Sequence, residues 1–279
     1  MTIVPQAIAA YASFDKIEDY VKSQKAPAIS RSSRPSQLDE GVEVSIQDLT
    51  VKWTPEGSPT LKDVNLELSR GQVVACLGPV GAGKSTLAKA ILGEVPLSKG
   101  TITYRTECIA YCSQVPWLPN RTIKQVICGA MAKYFVDNNW YQAVLKACCL
   151  DQDLAALPDG AETVVGVDGM NLSGGQRQRV VRDIPREETY TILANSCELQ
   201  ALARAIFHRC KMVVLDDPFS ALDRKTRDQV AQNLLAPKGM FRQLNAAVFW
   251  ITSSSKSFIS CTQWEKHTDL SPSQKCRSE

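Results

Sequence analysis

The stretch Gly78-Pro79-Val80-Gly81-Ala82-Gly83-Lys84-Ser85, continued by Thr86, decides the fold. It satisfies G-x-x-x-x-G-K-[ST], a pattern in which each position has a physical task. Glycines let backbone N–H groups turn inward onto phosphate oxygens with no Cβ in the way. A helix starting at Gly83 points the positive end of its dipole at the same charge. Lys84 can reach the outer phosphates of a nucleoside triphosphate, and Ser85 offers its hydroxyl to Mg²⁺. The flanks agree: Val73–Leu77 is a short unbroken apolar run, as in a strand buried on both faces, and residues 86–92 have helical character.

Working outward, such a turn needs a carboxylate for the cation. Met212-Val213-Val214-Leu215-Asp216-Asp217 supplies it: four apolar residues end in two aspartates, so a buried strand delivers Asp216 at its C-terminal tip. We expect that strand to neighbour the one before the turn, Asp216 to hold Mg²⁺ and Asp217 to lie beside the attacking water. Apolar residues alternate over Val42, Val44 and Ile46, then slip to Leu49, Val51 and Trp53, which predicts strand with a bulge. Residues 61–68, 101–104, 108–111 and 247–252 read as further strands, and residues 121–156 as a mostly helical insertion. The fold class expected is α/β: a P-loop NTPase core with an antiparallel β subdomain and an α-helical insertion.

Composition sets limits on function. The 279 residues are 44% hydrophobic and 22% charged, enough for a real core, and 32 basic against 29 acidic residues leave a net charge of +3. That balance gives no electrostatic case for nucleic acid. Ten cysteines show no C-x-x-C spacing, and neither His208 nor His267 sits in a ligand cluster. Reduced, mostly buried thiols are therefore expected, and no metal cluster. No run reaches the about 20 apolar residues that cross a bilayer, so the chain is not expected to span a membrane alone.

Leu172-Ser173-Gly174-Gly175-Gln176, lying between the phosphate turn and the apolar-Asp strand, resembles the signature of ABC ATPases. The resemblance implies MgATP held in a head-to-tail sandwich with a second nucleotide-binding domain, whose signature meets the γ-phosphate bound by its partner. It further implies transmembrane domains of a full transporter as partners, and a place at the cytosolic face of a membrane. Trp53 matches the aromatic that stacks on adenine. Gln114, in Tyr111-Cys112-Ser113-Gln114, matches the Q-loop glutamine that senses Mg²⁺, and Ser220-Ala221-Leu222-Asp223 matches the D-loop. Cys112-Ser113-Gln114-Val115-Pro116-Trp117-Leu118 and Leu235-Ala236-Pro237-Lys238-Gly239 resemble the C subfamily, the multidrug-resistance-associated type, and within it the first of two nucleotide domains. On that pattern residues 1–24 match the end of the last transmembrane helix and its elbow, 25–41 a linker and 42–258 the domain. Residues 259–279 read as a disordered or aberrant tail, from a truncation or frame error.

Three features depart from the pattern. Asp217 stands where a glutamate is the usual catalytic base, and loss of a positioned base typically costs about 10²–10⁴-fold. Ser253 follows the strand Val248-Phe249-Trp250-Ile251-Thr252 where a histidine belongs, and serine brings no cation to the γ-phosphate. Both imply weak or absent hydrolysis. Third, residues 181–200 interrupt an otherwise continuous Gln176-Arg177-Gln178-Arg179-Val180 and Ala201-Leu202-Ala203-Arg204-Ala205 helix, with Pro185 inside it. The segment reads as an intron translated in frame, in a fragment or mis-spliced gene model, or as a surface loop with a regulatory role. If present, it is expected to be locally disordered and to weaken the signature helix. Other functions stay open: a non-hydrolysing ATP-binding regulatory module, and a soluble ABC protein of translation or DNA repair.

Overall fold

A computed structural model describes residues 14–18, 38–54, 57–106, 108–115, 117–129, 136–165, 186–220 and 222–252. Residues 14–18 are helical and exposed; the rest of the expected N-terminal helix and tail, with most of the linker, lies outside the described residues.

Three strands form an antiparallel sheet in the order β2-β1-β4: β1 (Val42–Val51), β2 (Leu61–Ser69) and β4 (Lys99–Tyr104). The slip read in the first strand is real: register shifts between Ile46 and Leu49 and Asp48 takes φ 49°, so Ile46, Leu49 and Val51 all reach the core. A parallel sheet is built from β3 (Val73–Leu77), β9 (Ala247–Thr252), β8 (Met212–Asp216) and β5 (Ile109–Cys112), in that order. β9 therefore lies between the strand before the phosphate turn and the strand carrying Asp216, which corrects the expectation that the two are adjacent. Strand order in a parallel sheet is set by crossover connections, which local pattern does not record.

Alternation within these strands divides the core in two. Val74, Cys76, Met212, Val214, Ala247, Phe249 and Ile251 face one cluster, with Leu87, Ala90 and Ile91 of helix α1 (Lys84–Leu92) and the antiparallel sheet. Ala110, Cys112, Val213, Leu215, Val248 and Trp250 face the other, with the helical region. Strands buried on both faces read as continuous apolar runs for this reason.

The region expected to be mostly helical contains α2 (Ile123–Cys128), α3 (Asn138–Ala147) and α4 (Leu150–Ala156), preceded by β6 (Arg121–Thr122), which pairs with β7 (Val164–Val165). The long helix α5 (Arg186–Phe207) follows. The expected disorder of residues 181–200 does not hold for 186–200, which continue this helix. Residues 186–207 are rich in helix formers. α6 (Arg224–Leu235) and α7 (Met240–Gln243) complete the described elements.

The thiol expectation needs one correction. Cys108 and Cys210, each just before one of the paired strands β5 and β8, form a disulfide with Cα atoms 5.4 Å apart. Cys76, Cys112, Cys128 and Cys148 are buried free thiols, as expected.

Candidate nucleotide-binding site

The phosphate turn folds as its residues require. Gly81 and Gly83 take φ 84° and 85°, a region closed to most side chains. Gly83 is the N-cap of α1, and a Cβ there would lie 3.0 Å from Leu61 Cδ2 and 3.2 Å from the Thr60 carbonyl. Two demands thus exclude a side chain: backbone conformation and close packing. The N–H of Ala82 donates to the Pro79 carbonyl, 3.3 Å, and closes the turn. Lys84 Nζ donates to the carbonyls of Gly78 (2.8 Å) and Pro79 (2.7 Å), so its ammonium lies over the turn itself. Val80 is 92% exposed at the turn's tip, whereas Thr86 is buried in α1.

The sheet brings the second half. Ser85 Oγ donates to Asp216 Oδ1 across 3.4 Å, joining the first turn of α1 to the tip of β8, 131 residues away in sequence. Asp216 is buried, which pushes its carboxyl above the ordinary aspartate value; hydrogen bonds from Ser85 and Tyr111 and the charge of Lys84 pull it back, while Asp217 pushes it further up. Tyr111, on β5, is pushed up to about 12, chiefly by burial and then by the Asp216 charge. The donor set fits a hard cation: a hydroxyl, a carboxylate and an ammonium that meets phosphate. Among the described residues no three His, Cys, Asp or Glu side chains gather as a metal cluster, so a cation here would take its remaining ligands from phosphate and water.

Asp217 follows with φ 48°, its N–H donating to the Ile251 carbonyl at 2.9 Å. Its Oδ1 accepts from Thr252 Oγ1 at 3.4 Å, and Ser220 Oγ donates to its carbonyl at 3.0 Å. Gln114 is exposed just past the C-terminal end of β5, on the strand paired with β8. Trp53 is 58% exposed between β1 and β2, a connection whose far end, Thr60, abuts Gly83. Leu172, Ser173, Gly174, Gly175, Gln176 and Ser253 lie outside the described residues. Thr252 was missed as the partner of Asp217, and Tyr111 as a neighbour whose pKa the Asp216 charge raises. The alternation of Ile109-Ala110-Tyr111-Cys112 was the available signal for Tyr111, since it assigns that residue to the face of α1.

A glycine turn between a parallel strand and its helix, with an aspartate closing on the serine that follows the lysine, defines a mixed α/β P-loop NTPase core. The flanking antiparallel sheet makes it an ABC ATPase domain. Residues 61–181 match the family model described as "ABC transporter". The chain is 40% identical over 213 residues to "ABC multidrug transporter B" of Aspergillus fumigatus, covering 76% of this chain and 13% of that protein. It is 36% identical over 214 residues to "ABC transporter gloK" of Glarea lozoyensis, covering 77% and 14%. It is 34% identical over 269 residues to an "ABC-type transporter" of Gibberella zeae, covering 90% and 17%. This is an ABC transporter nucleotide-binding domain with homologues among fungal ABC multidrug transporters, and it spans under a fifth of the length of each of these relatives. No described helix is long and apolar enough to cross a membrane.

Proposed function

We propose that this chain is the ATP-binding domain of an ATP-driven membrane exporter of the C subfamily, the first of its two nucleotide domains, and that it turns ATP over slowly or not at all. The Ser85–Asp216 contact at 3.4 Å carries the nucleotide-binding part of this reading, because it brings a hydroxyl and a carboxylate to the mouth of the phosphate turn. Backbone N–H groups of residues 78–86 and the start of α1 would bind the phosphates, with Lys84 turning from its own carbonyls to their oxygens. Ser85, Asp216 and Gln114 would hold Mg²⁺, which neutralises charge on the outer phosphates. Trp53 would stack on the base. Residues 172–176 would serve the nucleotide of a second domain in a head-to-tail sandwich. The transmembrane domains of the full transporter would engage from the membrane side.

Asp217 is the candidate base, and Ser253 stands at the position of the missing histidine. Asp217 reaches less far than a glutamate, and its carboxylate accepts from Thr252, 3.4 Å away. That contact also favours a second reading, a regulatory module in which bound nucleotide joins two domains without being cleaved. Labelled ATP should bind the chain and fail to bind Lys84→Ala, with turnover below about 1 s⁻¹, the lower end of ordinary enzymes. Wild-type protein that ignores ATP overturns the site, and faster turnover overturns the weak-hydrolysis claim. ATP-driven dimerisation without any turnover would favour the regulatory reading.

A further inference from the structure

We infer that Cys108 and Cys210 are a reversible thiol–disulfide pair, opened and closed by small thiols and disulfides from the Cys108 side, and that closing it clasps the edge strand β5 to β8.

The two cysteines lie just before Ile109 and Met212, the residue pair that opens the β5–β8 ladder. Their Cα atoms are 5.4 Å apart, inside the range in which two cysteines bridge with no backbone movement. The two halves have different settings. Cys210 is 6% exposed and belongs to the core cluster around α5. Its neighbours are anchored on both sides: the Arg209 N–H donates to the Ile206 carbonyl at 2.9 Å, and the Lys211 carbonyl accepts from the Ala247 N–H at 2.8 Å. Cys108 is exposed, and its backbone N–H and carbonyl bond to the Thr106 hydroxyl two residues away, at 3.3 and 3.4 Å. One sulfur is thus held in the core while a small thiol can reach the other. The buried free thiols of Cys112 and Cys128 are pushed up to about 12 and about 11, chiefly by burial, which keeps them unreactive beside this pair.

β5 has reason to need a clasp. It is 4 residues long and lies at the edge of the parallel sheet, with β8 as its ladder partner among the described strands. A short edge strand with few bonds is an element that opens locally at low cost. Gln114 lies just past its far end. The disulfide joins residues 102 apart in sequence, and a crosslink across so long a loop restricts the unfolded chain strongly. Opening proceeds by exchange. A thiolate attacks the Cys108 sulfur, a new S–S bond forms there, and the old bond breaks with its electron pair leaving on the Cys210 sulfur, which takes a proton from water. A second thiolate attacks the outer sulfur of the mixed disulfide and releases Cys108. Two small thiols are oxidised to one disulfide, and the protein gains two electrons. Closing is the same sequence reversed, with the small disulfide as oxidant.

The test uses the full chain equilibrated in mixtures of reduced and oxidised glutathione, then alkylated, digested and mapped by mass spectrometry. The Cys108–Cys210 pair should close as the oxidised share rises and open when reduced glutathione is restored, with far-ultraviolet circular dichroism unchanged. Closing should raise the melting midpoint by about 4 °C or more and slow amide hydrogen exchange over residues 109–112. Cys108→Ser should show the open midpoint in every mixture. A pair that stays closed in folded protein under reduced glutathione is a permanent staple, which overturns reversibility. A pair that stays open under oxidised glutathione overturns the clasp, as does a Cys108 that carries glutathione instead of bonding to Cys210. Equal midpoints and equal exchange for the closed and open forms overturn the locking of β5. Should Cys108→Ser not fold, the wild-type cycle alone decides among these outcomes.

Discussion

Asp216 answers to two demands that pull against each other. The cation needs an ionised carboxylate, yet the sheet tip buries that carboxylate and sets Asp217 beside it. Burial pushes its carboxyl above the ordinary value of 3.8, and the hydrogen bonds from Ser85 and Tyr111 offset only part of this. The sign follows from proton binding. A carboxyl raised in the folded state holds its proton better there than in the unfolded chain, so ionisation costs stability above 3.8 and nothing well below it. Asp216→Asn should therefore raise the melting midpoint of nucleotide-free protein in EDTA at neutral pH. The gain should shrink steadily as the buffer is acidified toward 3.8. The same variant should lose Mn²⁺ binding in the presence of ATP. Melting curves across pH, paired with the metal titration, check both halves; a lower midpoint at neutral pH would show that the carboxylate stabilises the tip of β8.

Between the residue and the molecule stand the elements, and what the sequence discloses about them depends on distance along the chain. β1 with its bulge, β3, α1, β8 and β9 are each written in a local period, and the glycine turn and Asp216 lie at their ends. Everything that depends on which strand lies beside which was hidden: the place of β9 in the sheet, the Cys108–Cys210 bond, and the hydroxyls of Tyr111 and Thr252 beside the two aspartates. Residues 186–200 were misread for another reason. Their departure from the family pattern was taken for lack of structure, although their composition favours helix. Local chemistry is legible again at α6. Asp223, read only as the end of a D-loop, is its N-cap and accepts from the N–H groups of Lys225 (2.9 Å) and Thr226 (3.1 Å). Those bonds satisfy donors that the helix start cannot pair internally. Asp223→Ala should lower the melting midpoint and Asp223→Ser should restore most of it, by thermal denaturation followed at a helix-sensitive wavelength. Equal midpoints for the two variants would show that the cap contributes nothing.

At the scale of the whole molecule, the parallel sheet separates two regions that answer to different parts of the sequence. The turn, α1, Tyr111 and Asp216 lie on one face; α5 packs on the other against α2, α3, α4 and β5. Of the interrupting segment, residues 181–200, Leu199 packs into the second region and Cys197 lies against it. At its end Glu198 and Gln200 are buried at 8% and 0% exposure, beside Leu199 and ahead of Ala201, Leu202 and Ala203. Polar side chains in an apolar core gain less from burial than the aliphatic ones around them. A helix that ran from residue 180 straight into Ala201 would present small and aliphatic groups to the same core. Deleting residues 181–200 should accordingly raise the melting midpoint, because the helix no longer buries Glu198. ATP affinity at residues 78–86 should stay as it was, since Leu87, Ala90 and Ile91 of the helix that follows the turn pack into the other cluster. Thermal melts and labelled-ATP binding of the deletion variant decide the matter. A higher midpoint with unchanged affinity would fit an inserted segment, whether intron or loop. A chain that melts lower would mean that α5 in its full length is part of this domain, its buried glutamate and glutamine included.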